Sequence, residues 1–433
     1  MKHLFAILFM LLAVPAFAGT AYTSSATGNW SAASTWNPSG VPGNDVTDTV
    51  TLSSGTVTLD TSPTIASLTS SAGTNSQLLC TTTRTITTTG GISYSGTSAN
   101  GMILVTAGTL TLAGPSVSNS GSGICIYTKT TGSVVVTGGG VNVSAGQGIH
   151  ADTGTGIVTI SNSGGAALTN SATSGTVYNI YPGSTGTITI TGSLSSLGAP
   201  LIYNGLATTC RTCSIVGNMS MVNSTTTALY AWGTTGTNSN TFNYTGDITT
   251  SSSNGYACYG LSVGGNYPTT INFKGSLYTA DSSATPVYTI SQSGSFAWSG
   301  SNTISAGKTI IIYAYCLNLS NLYMTVPSGS KLLFNNLLGY AQSATYPSVS
   351  VTGSNARYIL ADSTSYAGAR YGLLPGMIVT NGVYAIDRQY VLTGYGGGLL
   401  VLPPSKFVAS GTVYGSGPTG NSNTGTMYIG RRQ

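Results

Sequence analysis

The chain has 433 residues, of which 40% are hydrophobic and 5% charged, with 59 Gly and 26 Tyr. Charge this sparse excludes a nucleic-acid footprint, which needs clustered Lys and Arg, and the hydrophobic and tyrosine content excludes a disordered Ser/Thr/Gly chain. The formal charge is +5, and all eight acidic residues are Asp, at 45, 48, 60, 152, 247, 281, 362 and 387; with Glu absent and Thr, Val, Ile and Tyr abundant, the composition points to an all-β protein.

In chain order, Lys2 and His3 precede an apolar run from Leu4 to Val14, and Ala16-Phe17-Ala18 stands before Gly19. That is the pattern of a secretory signal peptide, residues 1–18, cleaved after Ala18. The run is short for a membrane span of about 20 residues, so no span is expected after cleavage and the mature chain is expected outside the cell or on its surface. Residues 19–60, with Trp30, Trp36 and the Pro/Gly-rich stretch NPSGVPGND, are expected to form an N-terminal cap.

From there to residue 353 one motif recurs: TITTTG, TLTLAG, SVVVTG, IVTISN, TITITG, TCSIVG, TFNYTG, TINFKG, SFAWSG and SVSVTG. The closing positions are 90, 114, 138, 162, 192, 217, 246, 275, 300 and 353, so most steps are 24–30 residues; the last step is 53, and LYMTVP (322–327) occupies the place of the missing copy. Repeats of this length are too short for propeller blades or sandwich domains. They predict a parallel β-solenoid of about eleven coils, each with two or three strands. Parallel crossovers favour a right-handed coil, and stacking at about 4.8 Å per coil gives a rod of roughly 50 Å.

Side chains alternate across a strand, so one column is assigned to the core: Leu110 and Leu112, Val134 and Val136, Val158 and Ile160, Ile188 and Ile190, Phe242 and Tyr244, Ile271 and Phe273, Phe296 and Trp298, Val349 and Val351. The intervening Thr and Ser are expected to face outward as hydroxyl ladders. Aromatic core residues after about 240 suggest a wider interior there. A second strand is expected before each motif, in GICIYTK, GIHADTG, PLIYNG and ALYAWG.

The six Cys, at 80, 125, 210, 213, 258 and 316, allow 15 pairings in an oxidising compartment. Cys210 and Cys213 are close enough in sequence for a local disulfide, while a zinc site would need a second such pair. Residues 354–433 lose the motif and hold six of the mature basic residues, Arg357, Arg370, Arg388, Lys406, Arg431 and Arg432, as expected of a capping or assembly region.

Two stretches resemble known families. GNWSAASTWNPSGVPGNDVTDTVTL (28–52), through Trp30, Trp36, Pro42, Gly43 and Asp48, resembles the opening of bacterial extracellular β-solenoids such as autotransporter passenger domains. FVASGTVYGSGPTGNSNTGTM (407–427) is similar to a closing motif of phage tail-fibre-like and bacterial surface proteins, with Ala409 where those often have Arg. The resemblances imply a surface or fibre protein and carry no catalytic residues.

Catalysis is tested on the residues themselves. Glycoside hydrolysis usually needs two facing carboxylates; Asp45 and Asp48 are the one close pair in sequence, in a segment better suited to turn formation. Calcium-dependent lyase chemistry needs several carboxylates around one ion, and these are scattered. His150, the one mature His, lies two residues from Asp152 on the same face, and aligning GIHADTG with GICIYTK places it beside Cys125, with Asp152 beside Tyr127. An Asp-oriented His near a thiol is the outline of nucleophilic catalysis, although no oxyanion hole is evident; an exposed polar strand face is the competing reading. Trp232 in ALYAWG is the outward aromatic expected to meet a glycan. No cofactor or metal is expected. The expected function is a secreted, non-enzymatic structural or adhesive surface protein, self-associating into fibres or matrix or touching surface glycans; the alternatives are a carbohydrate-active β-helix lyase or glycosidase, or a glycan-binding module.

Overall fold

The computed structural model describes residues 19–71, 76–154, 156–173, 177–182, 186–204, 212–222, 229–233, 240–251, 261–265, 269–279 and 287–318, and thereafter strands as far as Tyr428–Ile429. The signal segment 1–18 lies outside the described residues. Apart from one 3-10 turn, Ala33–Thr35, every regular element described is a strand, and nearly all pairings are parallel. The protein is an all-β parallel solenoid.

A coil contains three strands. Thr109–Ala113 and Ser116–Asn119 belong to a 25-stranded sheet, and Ile124–Thr130 to a second sheet of ten; Ser133–Thr137, Gly140–Val143 and Gln147–Gly154 repeat the arrangement one rung on. The number of coils departs from the eleven expected. The second sheet runs only from Gly28 to Gly265, and six strands from Gly300–Thr303 to Tyr428–Ile429 make a third sheet instead of extending it. Parallel pairing also continues past residue 353, through Arg357–Leu360, Val383–Ile386 and Lys406–Ala409.

The inward columns follow from the alternation. In register stand Leu110, Val134, Val158, Ile188, Cys213, Phe242, Ile271 and Phe296, and beside them Leu112, Val136, Ile160, Ile190, Ile215, Tyr244, Phe273 and Trp298. All are buried, except that the side chain of Phe296 lies outside the described residues. Each such Leu, Ile or Val contributes about 1.5–3 kcal/mol by leaving water. The column turns aromatic where expected, with Tyr244 stacked on Phe273 at 5.7 Å between centroids and Phe273 meeting Trp298 at 5.5 Å and a 50° tilt. The outer face carries polar ladders in places: Thr51 to Thr69 at 3.1 Å, and Asn272 Nδ2 donating to Asn243 Oδ1 at 2.8 Å.

Val349 and Val351 do not extend this column. Their strand, Ser348–Val351, pairs with Leu322–Val326, setting Val349 opposite Met324 and Val351 opposite Val326 in the third sheet. LYMTVP is thus the rung beside SVSVTG, but its other neighbour is Gly300–Thr303, while the next rung over SFAWSG is residues 314–318 in the first sheet. Alternation identifies a face of a strand, but it does not say to which sheet the strand belongs, and here the coil has changed shape.

The closing glycine of the motif has a steric cause. A Cβ on Gly246, whose φ is +146°, would lie 2.1 Å from the carbonyl oxygen of Gly217 one rung below; one on Gly275 would lie 1.8 Å from that of Gly246. At this corner successive backbones approach too closely for any side chain. At the next corner, between Ser116–Asn119 and Ile124–Thr130, a buried Asn side chain holds the turn: Asn119 Nδ2 donates to the carbonyls of Gly123 at 2.9 Å and Gln147 at 2.7 Å, and its Oδ1 accepts from Gly121 N.

At the N-terminal end, Ala21–Ser24 pairs in parallel with Thr49–Thr51, while Trp36–Asn37 folds back antiparallel along its other edge. Trp30 and Trp36 pack edge to face at 4.9 Å, with their indole N–H groups donating to the carbonyls of Pro42 and Trp30. Buried Asp48 accepts from the backbone amides of Thr20, Gly43 and Asp45.

Candidate functional site

Five of the ten second-sheet strands carry an aliphatic residue followed by a ring: Ile126-Tyr127, Ile149-His150, Ile180-Tyr181, Ile202-Tyr203 and Leu229-Tyr230. Ile126, Ile149, Ile180 and Ile202 are buried in the core, each over the next. Alternation then turns the following residue outward, so Tyr127, His150 and Tyr181 form a row along the outer face, one per rung. Tyr203 pairs with Tyr230 at the same place in the strands beyond.

The row is in ring contact. Tyr127 meets His150 edge-on at 4.7 Å between centroids, and His150 meets Tyr181 at 4.7 Å and a 40° tilt. Tyr178 lies 5.8 Å from Tyr181. Polar groups flank the rings: Tyr127 OH donates to Asp152 Oδ2 at 2.6 Å, His150 Nδ1 meets Gln147 Oε1 at 2.7 Å, and Lys129 Nζ sits 4.6 Å from the centre of the Tyr127 ring, in cation–π range. Because Gln147 Oε1 can only accept, Nδ1 carries the proton in this pair.

The electrostatics follow from half-burial. His150 titrates below its ordinary 6.5 chiefly through desolvation; Asp152 opposes the shift and Lys129 adds to it. The Tyr127 phenol is pushed well up, first by burial and then by its hydrogen bond and charge contact with Asp152. At neutral pH the row is thus an uncharged ring face, with Lys129 and Asp152 as neighbouring opposite charges.

This geometry corrects one expectation. His150 does not stand beside a thiol: its register partner is Tyr127, and Cys125 is buried in the core with its thiol pushed up to about 12 by desolvation. GICIYTK offers two isoleucines for one inward slot, and the stack of Ile103, Ile126, Ile149 and Ile180 selects the second. The register accordingly moves by two residues. Asp152 does touch Tyr127, as expected, but through the hydroxyl of that tyrosine. The hydrogen-bond partner of His150 Nδ1 is the Gln147 amide, which cannot balance an imidazolium as a carboxylate would.

The other candidates are dispersed. Asp45 accepts from Thr47 and lies below its ordinary value for that reason, Asp60 accepts from Ser31, and Asp247 Oδ1 accepts from Ser276 N. Asp45 holds a turn, while Asp60 and Asp247 tie residues of adjacent rungs together. Cys213 is a buried free thiol in the inward column, whereas Cys210 lies outside the described residues. Trp232 is on Leu229–Gly233, opposite Gly264, and its side chain lies outside the described residues. Among the described residues, no three His, Cys, Asp or Glu side chains converge as metal ligands would.

Sequence reasoning set Tyr127 beside Asp152 but gave it no role, and missed Tyr181, Gln147 and Lys129. The signal was present in the recurrent aliphatic-Tyr pair, which becomes informative once the second sheet's register is known. Comparison with protein-family models, curated proteins and solved structures finds no match to this chain.

Proposed function

We propose that this chain is a secreted, non-enzymatic surface protein with a structural or adhesive role, acting as a stiff, sparsely charged rod. The observation that carries the reading is the use of its few carboxylates: among the described residues, Asp45, Asp48, Asp60 and Asp247 accept hydrogen bonds at turns, at coil corners and at the cap, and Asp152 alone stands on a repeated outer face, bonded to the Tyr127 hydroxyl. The signal-like first 18 residues support export. Self-association of rods, end to end or side by side, belongs to the same reading.

The test is localisation in the producing cell. Immunogold imaging is expected to find the protein as a surface coat, as filaments or in the medium, with residues 1–18 removed from the mature form. Retention in the cytoplasm overturns the reading. So does polysaccharide cleavage by the purified protein that disappears in His150→Ala and Asp152→Ala.

A further inference from the structure

The Tyr127–His150–Tyr181 row is unlike the remainder of the described outer surface. Elsewhere the outward strand positions carry mainly Thr, Ser and Asn with scattered aliphatics such as Val135, Ile157 and Val216, and Leu79 and Leu104 precede Tyr127 in its own column; here three rings in contact follow one another from rung to rung, flanked by an amide, a carboxylate and an ammonium group. We propose that this row is a binding site for a neutral polysaccharide chain lying along the rod, which deepens the adhesive reading above and rests on it.

Three features select that ligand. The first is ring chemistry: the C–H faces of a pyranose pack on aromatic surface, and Tyr couples that surface to a polar edge. The second is the flanking set. Gln147, Asp152 and Lys129 supply an amide, an acceptor and a donor within one strand's reach of the rings, the inventory that recognises vicinal hydroxyls. Lys129 and Asp152 are opposite charges side by side, so they offer hydrogen bonds without favouring an ionic ligand. The third is periodicity. Rings recur at the rung spacing of about 4.8 Å, close to the length of one sugar unit, and the register places Tyr203 and Tyr230 at the same point of the following strands. A linear polymer can meet each rung in turn, and several weak contacts then add through effective concentration.

Such a row could instead seat a second copy of this chain. A dimer joined through it would also cover the rings, so the experiment separates the two. The mature protein is assayed by affinity electrophoresis in gels containing the neutral polymers xyloglucan, galactomannan or laminarin, and in gels containing anionic alginate. Tyr127→Ala, Tyr181→Ala and the double variant are compared with Thr189→Ala, on the exposed face of the first sheet. Circular dichroism is used to select variants that keep the wild-type spectrum; Tyr127→Phe, which keeps the ring, provides a milder change.

Retardation by at least one neutral polymer, weakened about tenfold by each Tyr→Ala change and unaffected by Thr189→Ala, supports the site. Retardation only by alginate, or a neutral-polymer shift that survives the double variant, overturns it. Sedimentation showing a dimer that the same variants dissociate, with no shift in neutral gels, assigns the row to self-association and also overturns it. If the protein coats cells but no neutral polymer retards it, this inference fails while the surface reading stands; if it is cytoplasmic, the surface reading fails whatever the gels show.

Discussion

Gly246→Ala tests the account of the repeated motif most directly. The new methyl would start 2.1 Å from the Gly217 carbonyl oxygen and 3.2 Å from Asn218 N, both backbone atoms of the rung below. Relief requires the two rungs to part by nearly an ångström at a corner where Gly217 N donates to Thr245 O at 2.9 Å and Met219 N to Asp247 O at 2.8 Å. A side chain at φ +146° costs about 1–3 kcal/mol, and loosening two backbone hydrogen bonds costs about 1 kcal/mol each. The stiffer unfolded chain returns about 0.4–1 kcal/mol. The expected net loss is about 2–4 kcal/mol. Thr245→Ala, one residue earlier and exposed, should change stability by less than about 0.5 kcal/mol. Urea titrations followed by far-ultraviolet circular dichroism and tryptophan fluorescence provide the comparison, read as shifts in midpoint because stacked repeats need not unfold in one step. If Gly246→Ala matches wild type, or Thr245→Ala is equally damaging, close approach of the backbones is not the reason for the glycine.

Four further outcomes follow from the same structure. His150 stays neutral in the fold below its ordinary 6.5, so its contribution to stability is present above pH 6.5 and is lost as pH falls through the lowered value; His150→Asn should flatten stability across that window, measured by thermal melts at stepped pH. Asp48→Asn replaces an acceptor of three backbone amides by a group with one accepting oxygen, and should cost about 1.5–3 kcal/mol, with faster hydrogen exchange at Thr20 and Gly43. Phe273→Ala removes the middle ring of the Tyr244–Phe273–Trp298 stack and should cost about 3–5 kcal/mol in urea. Buried Cys125 and Cys213, both pushed up to about 12, should resist iodoacetamide at neutral pH in the folded protein and react in denaturant, as followed by intact mass.

The fold was readable where a physical constraint repeats. Leu110, Val134, Val158 and Ile188 recur because every rung buries the same position, and Gly217, Gly246 and Gly275 recur because every rung turns the same corner. Position within the second sheet was harder to read. Cys125 and His150 looked like neighbours until the isoleucine stack placed His150 over Tyr127, a choice between two similar apolar residues that pattern alone does not decide. The same limit explains Val349 and Val351, whose alternation is regular although their strand pairs in another sheet. The ring row follows from register: Tyr127 and Tyr181 are 54 positions apart in the chain, and only the stacking of coils brings each against His150.

The antiparallel strand Trp36–Asn37 also bears on how copies could join. By pairing with Thr23 and Ser24 it covers half of the outer edge of Ala21–Ser24, so a head-to-tail contact through the first sheet, which needs a free edge at both ends, is hindered there. Joining by the opposite ends would be two-fold and would stop at a pair. Growth of longer assemblies side by side, as sheets or bundles, is then favoured over growth end to end through that sheet.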